Sequence, residues 1–168
     1  MPSPHRFEPR TVEELMAALR ACGPEHALRT AALLRRAHPS DKELQLAGLV
    51  HGLVGDPGRA APDTEAVRGL LGDRVARLVR LREAARRYLA AVEPGAAPAG
   101  SGSWGGAMSP GEAAAFEADP LARDAVALCR ATDDAGRAAG PDAGVVEDWR
   151  ELLERAAQGL LRAPAHSR

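Results

Sequence analysis

Residues 40–56 read SDKELQLAGLVHGLVGD, and this stretch decides the fold class. It opens on Ser40 three residues before Glu43, a spacing that lets two side chains satisfy free backbone groups at a helix start. The helix then loses its polar face towards its end, which is typical of a helix buried inside a protein. We therefore predict that residues 41–54 form the most buried helix of the chain.

The same start signal recurs in two other places. Thr11 precedes Glu14 and Ser109 precedes Glu112, each by three residues, and both pairs fit a capping box. Apolar stripes of helical period, separated by Gly and Pro breaks, extend the pattern along the chain. No useful run alternates like a strand, so the prediction is an all-α bundle of about seven to eight helices. The predicted helices, besides 41–54, cover residues 12–22, 25–38, 64–71 (capped by Asp63), 73–92, 110–118, 121–134 and 145–161.

The length and composition of the chain indicate how it is divided into a domain and flanking segments. A chain of 168 residues suits one domain, which we place at 11–162 with a Gly/Pro/Ser-rich loop at 95–107. Residues 1–10 are predicted to be a flexible N-terminus and 163–168 a tail. Lys42 is the only lysine among many Arg, Ala and Gly residues, a composition typical of a high-GC bacterial genome.

The charge balance and the absence of targeting signals limit the classes of partner that we expect for the protein. The 22 basic and 23 acidic residues nearly cancel, so no global field favours nucleic acid. The N-terminus lacks a signal-peptide pattern and no apolar run has the length of a membrane span. We expect a cytoplasmic protein that binds neither nucleic acid nor membrane. Cys22 and Cys129 have no metal-site spacing and are predicted to be buried thiols. The sequence leaves the oligomeric state open, a homodimer included.

Five ordered stretches resemble one family. They are EHALRTAALLRRA (25–37), LAGLVHGLVG (46–55), VRLREAARRYLAAVEP (79–94), GGAMSPGEAAAFEADP (105–120) and ATDDAG (131–136). Together they resemble the HD-domain superfamily, particularly its di-iron oxygenase branch, which includes phosphonate-cleaving enzymes. The resemblance covers roughly residues 15–160, and its most specific parts are 108–120 and 86–94. It implies an HD-like helical bundle whose helices converge on two metals.

The resemblance also implies where the metal ligands should fall. His26, His51 and a late aspartate match the residues that hold the first metal; that aspartate is Asp133, with Asp134 as a close alternative. The aspartate that bridges to the second metal is replaced by Gly52, and one histidine of the second metal is replaced by Arg82. The other second-metal histidine has no counterpart in 63–69. We therefore expect no di-metal centre and no ordinary di-iron oxygenase chemistry, because the bridge is gone and a guanidinium would repel a dication.

The leading hypothesis is a pocket reassigned to a small organic anion. Arg82 and Arg86, four apart on one helix, are predicted to clamp a carboxylate or phosphate. The protein would act without a metal or other cofactor, with His26 or His51 as proton carrier and Asp133 orienting it. Two further residues are predicted to contact the ligand, namely Asp134 and Trp104. A role in specialised metabolism rests on analogy alone.

Other interpretations stay open at this point. One is a mononuclear enzyme holding one iron or other divalent metal on His26, His51 and Asp133. Another is a non-catalytic ligand-binding or accessory protein. The same residues also have structural interpretations: His51 as a hydrogen-bonded core residue, the two aspartates as solvated residues, and the two arginines as an exposed salt-bridged surface. Trp104 and Tyr88 likewise suit packing anchors.

Overall fold

The chain is all-helical where its structure is described. A computed structural model describes residues 8–53, 64–93, 108–137 and 143–161, and these ranges contain eight α-helices and no strand. The predicted all-α bundle of seven to eight helices is confirmed. The helices are α1 (Val12–Ala21), α2 (Glu25–Ala37), α3 (Lys42–Val50), α4 (Thr64–Leu71), α5 (Asp73–Val92), α6 (Pro110–Glu117), α7 (Ala122–Arg137) and α8 (Arg150–Ala157).

Local capping explains where several helices begin. The Thr11 hydroxyl accepts from the Glu14 N–H at α1, and Ser109 and Glu112 form the complete capping box of α6. The predicted cap of α3 is wrong, because Asp41 caps that helix and its carboxylate accepts from the Leu44 N–H at 3.0 Å. A carboxylate at a helix N-terminus also interacts favourably with the helix dipole.

Helix α3 lies at the centre of the bundle. All of its residues from Leu44 to Val50 are buried, which confirms the prediction of a most buried helix. Gly48 allows α2 to approach closely, since a Cβ there would lie 2.6 Å from Leu34 Cδ1 and 3.3 Å from Thr30 Cγ2. After Val50 the chain tightens into a 3-10 turn, His51–Leu53. The close α2–α3 contact therefore holds His51 directly against the neighbouring helix.

Two apolar clusters hold the bundle together. The larger one draws buried residues from every described α-helix except α6, with Trp149 and Leu46 among its fully buried members. The smaller one joins α5, α6 and α7 around Phe116, Ala85 and Cys129. Because α5 and α7 contribute to both clusters, these two helices span the whole core. They carry the charged residues described below.

The last predicted helix is shorter than expected. It begins as a 3-10 turn, Val146–Trp149, and α8 ends before Gly159, whose φ of +74° an L side chain rarely adopts. Val146, Trp149 and Leu153 are buried as predicted. The thiol prediction holds for Cys129 but is wrong for Cys22, which is exposed at the end of α1.

Some predictions lie outside the described residues. These are the Asp63 cap, the contact predicted for Trp104, the proposed loop at 95–107, the tail at 163–168 and, for residues 1–7, the predicted N-terminus. Among the helices that are described, none combines the length and the apolar character that crossing a membrane requires.

Candidate functional site

Two histidines from different helices meet at one end of the bundle. His26 lies in the first turn of α2, and His51 directly follows α3. Their ring centroids are 5.5 Å apart and the rings meet edge to face, with an interplanar angle of 68°. The ring of His26 also faces α7, where a Cβ on Gly136 would lie 3.9 Å from its Cε1 atom. The pair therefore joins α2 to the turn that follows α3, and α7 lies beside it.

His51 is a buried, neutral histidine. Its side chain is only 3% exposed, and its Nδ1 atom lies 2.6 Å from the Gly48 carbonyl oxygen. Burial lowers the pKa of His51 to about 4, outweighing the hydrogen bond to Gly48, and the charge of Arg82 lowers that pKa further. Because a carbonyl only accepts, Nδ1 carries the proton and Nε2 is left as an acceptor.

His26 is the exposed member of the pair. Partial burial lowers its pKa below the ordinary value, and the charges of Arg82 and Arg29 lower it further, while Asp133 acts in the opposite direction. The imidazole is therefore mostly neutral at pH 7, and it is accessible to solvent. A neutral, accessible imidazole is able to accept a proton from a bound molecule.

Arg86 and Arg82 project from α5 towards the same end of the bundle, but their surroundings differ. Arg86 donates to the Asp133 carboxylate of α7 at 3.0 Å, and both side chains are largely buried, at 18% and 25% exposure. Arg82 is half-buried and makes no hydrogen bond or ion pair with any residue that the structure describes. Burial lowers the pKa of Arg82, and the adjacent charge of Arg86 lowers it too.

Cys129 completes this group, one helical turn before Asp133. The thiol is fully buried, and burial raises its pKa, an effect that the charge of Arg86 offsets only in part. A protonated buried thiol behaves as a small apolar group. We name the group formed by His26, His51, Arg82, Arg86, Cys129 and Asp133 the His–Arg cluster.

The structure brings together five of the residues that the sequence singled out, namely His26, His51, Arg82, Arg86 and Asp133. Asp134 is exposed on α7, and Trp104 lies outside the described residues. Tyr88 is a packing anchor, as one interpretation predicted, since it stacks on Phe116 and donates to Glu117 at 2.7 Å.

Sequence reasoning missed three contributors to the site. Gly48 accepts the hydrogen bond of His51, Cys129 lies beside Asp133, and Arg29 acts on His26. The spacing in the sequence indicates each of these contacts, because residues three or four apart on a helix share a face. Gly48 precedes His51 by three, Cys129 precedes Asp133 by four, and Arg29 follows His26 by three.

The residues of the cluster do not fit a metal ion. Within the described ranges no three His, Cys, Asp or Glu side chains gather as a metal site would require. The Asp133 carboxylate is directed to Arg86 instead, and the charge of Arg82 acts on both histidines. A divalent cation would be repelled by these guanidinium groups. The donor set therefore suits an anion better than a cation.

A separate groove lies elsewhere on the molecule. It has a volume of about 400 Å³ and lies between residues 8–10 and α4. Its charged lining residues are Glu8, Arg10 and Glu65, and Glu65 is already paired with Arg68. Because acidic residues predominate and no histidine lines it, this groove does not suit an anionic ligand.

No protein-family model matches the chain, and no curated protein matches it either. The HD-domain resemblance therefore stays a prediction that depends on the residues quoted for it. What the site does has to be argued from its own geometry and charge.

Proposed function

We propose that this chain is a divergent, bacterial, cytoplasmic HD-domain protein that binds a small organic anion at the His–Arg cluster without a metal. The observation that carries the proposal is Arg82, a half-buried guanidinium with no hydrogen bond or ion pair among the described residues. Keeping a charge partly out of water without a partner costs free energy. An anion from solution would supply the missing partner.

The surroundings of Arg82 favour an anion further. The two histidines beside it are mostly neutral at pH 7, so the positive charge of the site comes from its guanidinium groups. Arg86 is anchored by Asp133 and adds a second positive charge. A planar guanidinium binds carboxylate and phosphate oxygens in pairs. The ligand we expect is accordingly a carboxylate or phosphate of small size.

One agreement between the family resemblance and the positions of three residues supports the HD-domain part of the proposal. The resemblance predicts that three residues from distant parts of the sequence share a site, namely His26, His51 and Asp133. His26 does contact His51, and the charge of Asp133 does act on His26. Chance would rarely bring three such positions together, although the agreement concerns the fold and says nothing about activity.

Calorimetric titration tests the anion proposal. Phosphate, pyruvate and succinate would be titrated into the purified protein and into Arg82→Gln, with Arg123→Gln as the control for lost charge. Arg123 is exposed on α7 and has no ion pair among the described residues. We expect at least one acid to bind, and Arg82→Gln to weaken it by about tenfold or more. Equal affinities in all three proteins would overturn the proposal.

Elemental analysis of protein expressed in iron-rich medium tests the metal-free part. We expect no stoichiometric iron, zinc or manganese. One metal ion per chain that disappears in His51→Ala would instead establish the mononuclear alternative, and the anion site would then have to be reconsidered.

Proton transfer is a second candidate function, favoured by the neutral, exposed ring of His26 beside Arg82. His26 would take a proton from a carbon next to the carbonyl of a bound oxo-acid. The electron pair of the broken C–H bond would move onto the carbonyl oxygen, where Arg82 stabilises the enolate. Asp133 does not orient this ring through a hydrogen bond, since its carboxylate bonds Arg86.

Hydrogen exchange distinguishes this enzyme from a binding protein. Pyruvate in deuterium oxide would be followed by NMR for loss of its methyl protons. Catalysed exchange that disappears in His26→Gln, while phosphate affinity stays within about twofold, would establish proton transfer. Tight binding without exchange would leave the chain as a ligand-binding or accessory protein.

A further inference from the structure

The contact between α2 and α3 at Gly48 lies one helical turn from the histidine pair. A Cβ atom on Gly48 would lie 2.6 Å from Leu34 Cδ1 and 3.3 Å from Thr30 Cγ2, and we name these three residues the Gly48 contact. His51 follows Gly48 by three residues, and His26 precedes Thr30 by four. Because residues at these spacings lie one turn apart on one helix face, the pair is the next contact along the same interface.

The other end of this interface is fixed by a glutamine. Gln45 is fully buried, and its amide donates to the carbonyl oxygens of His38, at 2.8 Å, and Pro39, at 3.2 Å. Both carbonyl groups lie just past the end of α2. Helix α3 is therefore tied to α2 beside their connection, and the Gly48 contact is the next point where the two helices meet.

Thr30 directs its methyl group to α3 because its hydroxyl is bonded elsewhere. The side chain is fully buried, and its hydroxyl donates to the His26 carbonyl oxygen at 2.9 Å. A threonine in a helix chooses between two rotamers, one of which makes this bond. Breaking the bond would leave a buried hydroxyl without a partner, which costs free energy. The rotamer is thus fixed, and the methyl group stays against Gly48.

A methyl group added at Gly48 could not be absorbed by side chains alone. Leu34 Cδ1 is the end of a flexible side chain and can rotate away. The Thr30 methyl group is held in place, and behind it the backbone of α2 is close, since Ala31 Cα would lie 3.5 Å from the added atom. Protein interiors are too closely packed to yield without movement. Helix α2 would therefore shift away from α3, one turn from His26.

We propose that Thr30 and Gly48 are positioning residues for the histidine pair: the Thr30 methyl group against Gly48 sets the spacing at which the ring of His26 meets the ring of His51. The Asp133 carboxylate bonds Arg86 and does not orient the His26 ring, whereas the buried ring of His51 contacts it. His51 then orients the imidazole that takes the proton. For this use of the pair, the inference rests on the proposed proton transfer.

NMR of the protein without ligand tests the spacing directly. The ring protons of His26 and His51 should show a nuclear Overhauser effect, which is observed only between protons that lie close together. Gly48→Ala should lose this signal. Gly69→Ala is the matched control, because Gly69 also lies within a helix and an added Cβ atom would meet nothing within 4 Å. Both variants gain helix propensity, and only the control should keep the signal.

A double variant tests whether the methyl group of Thr30 is responsible. Thr30→Ser combined with Gly48→Ala moves one methyl group from α2 to α3, so the volume at the interface is unchanged and the hydroxyl bond to His26 is kept. The double variant should recover the ring-to-ring signal and unfold at a higher temperature than Gly48→Ala alone, since the two positions are coupled. If Gly48→Ala does not fold, recovery of folding and of the signal in the double variant supports the inference equally.

Activity separates positioning from binding. Gly48→Ala should slow the exchange of pyruvate methyl protons by about tenfold or more, because small displacements of a reacting group are costly. Its phosphate affinity should stay within about twofold, since Arg82 belongs to α5. The double variant should recover the exchange rate.

The outcomes distinguish this inference from the function on which it rests. A ring-to-ring signal that is absent from the natural chain, or that persists in Gly48→Ala, would overturn the positioning inference even if proton exchange is catalysed. A double variant that recovers nothing would overturn it as well. If the natural chain catalyses no exchange, proton transfer fails as a function, and the ring-to-ring signals of the natural chain and the variants alone decide whether Thr30 and Gly48 set the spacing of the pair.

Discussion

Two groups of charged residues lie along α5, and they are built in opposite ways. At the start of the helix, Arg74 is shared by three carboxylates; we name Arg74, Asp41, Glu43 and Asp124 the Arg74 cluster. Two turns further on, about 12 Å along the axis, the His–Arg cluster has two arginines of α5 and one carboxylate, Asp133. The Arg74 cluster has three carboxylates for one guanidinium group, whereas the His–Arg cluster has one carboxylate for two.

The Arg74 cluster has the geometry of a structural clamp. Arg74 bonds both oxygens of Asp41, at 2.7 and 2.8 Å, and reaches Asp124 at 2.8 Å and Glu43 at 3.3 Å. These contacts join the starts of α3, α5 and α7. Arg82 has no such partner in the described structure. Arginines of the same helix thus stand in opposite surroundings: Arg74 stabilises the fold, whereas Arg82 is the residue for which we propose a ligand.

The largest expected effect is the loss of stability at acidic pH that comes from protonation of His51. Its pKa is about 4 when folded, against an ordinary value of 6.5. The unfolded chain therefore binds more protons between pH 6.5 and pH 4, and stability falls as the pH falls through that window. The expected contribution of His51 to this loss at pH 4 is roughly 3 kcal/mol. Urea unfolding at pH 7 and pH 4 should therefore show a loss in the natural chain that exceeds the loss in His51→Gln by about that amount.

A control histidine makes that result specific. His38→Gln, at the end of α2, should keep the part of the loss that comes from His51, because the charge of His38 acts on Asp41 and not on His51. If His51→Gln and the natural chain have the same dependence on pH, His51 is not the buried neutral group that its contact with Gly48 indicates.

The next effect is the loss of the clamp. Arg74→Leu leaves three partly buried carboxylates without their shared cation, and should lower the free energy of unfolding by about 2–3 kcal/mol at pH 7. Burial alone would raise the pKa of Asp41, but its hydrogen bonds from Arg74 and the Leu44 N–H lower it. The clamp therefore stabilises above the ordinary pKa of 3.8, and its contribution disappears as the pH falls below the folded pKa. Arg123→Leu should cost much less.

A smaller effect separates the two roles of Asp41. Asp41→Asn keeps a side-chain oxygen for the cap of α3 and removes the charge that Arg74 binds, whereas Asp41→Ala removes both. The Asp41→Ala variant should therefore be less stable than the Asp41→Asn variant by about 1 kcal/mol, the usual contribution of an N-cap. Equal unfolding midpoints in urea would mean that the cap contributes nothing beyond the ion pair.

The smallest effect on stability is expected at Arg82. Arg82→Leu removes a half-buried charge that makes no ion pair with a described residue, so the free energy of unfolding should stay within about 0.5 kcal/mol or rise, and we expect anion binding to be lost. Thermal unfolding of Arg82→Leu beside Arg74→Leu makes the comparison direct. A cost as large as that of Arg74→Leu would show that Arg82 has a structural partner and that the contrast between the clusters is false.

Local signals in the sequence predicted the helices well. The range 73–92 was predicted and observed for α5, and the caps of α1 and α6 are those that the serine and threonine spacings indicated. The start of α3 was assigned to the wrong cap, because Ser40 and Asp41 are both good N-cap residues and stand next to each other. In the structure Asp41 caps the helix and also bonds Arg74, a contact that sequence spacing does not indicate.

The candidate site, like the helices, was predicted from the sequence only in part. Helical period and the family resemblance indicated His26, His51, Arg82, Arg86 and Asp133, since period and motif are properties of short stretches. Which charge pairs with which depends on the distances between helices, and those distances are not encoded in any short stretch of the sequence. The close approach of α2 to α3 at Gly48 sets one of those distances. That arrangement directs Asp133 to Arg86 and leaves Arg82 without a described partner.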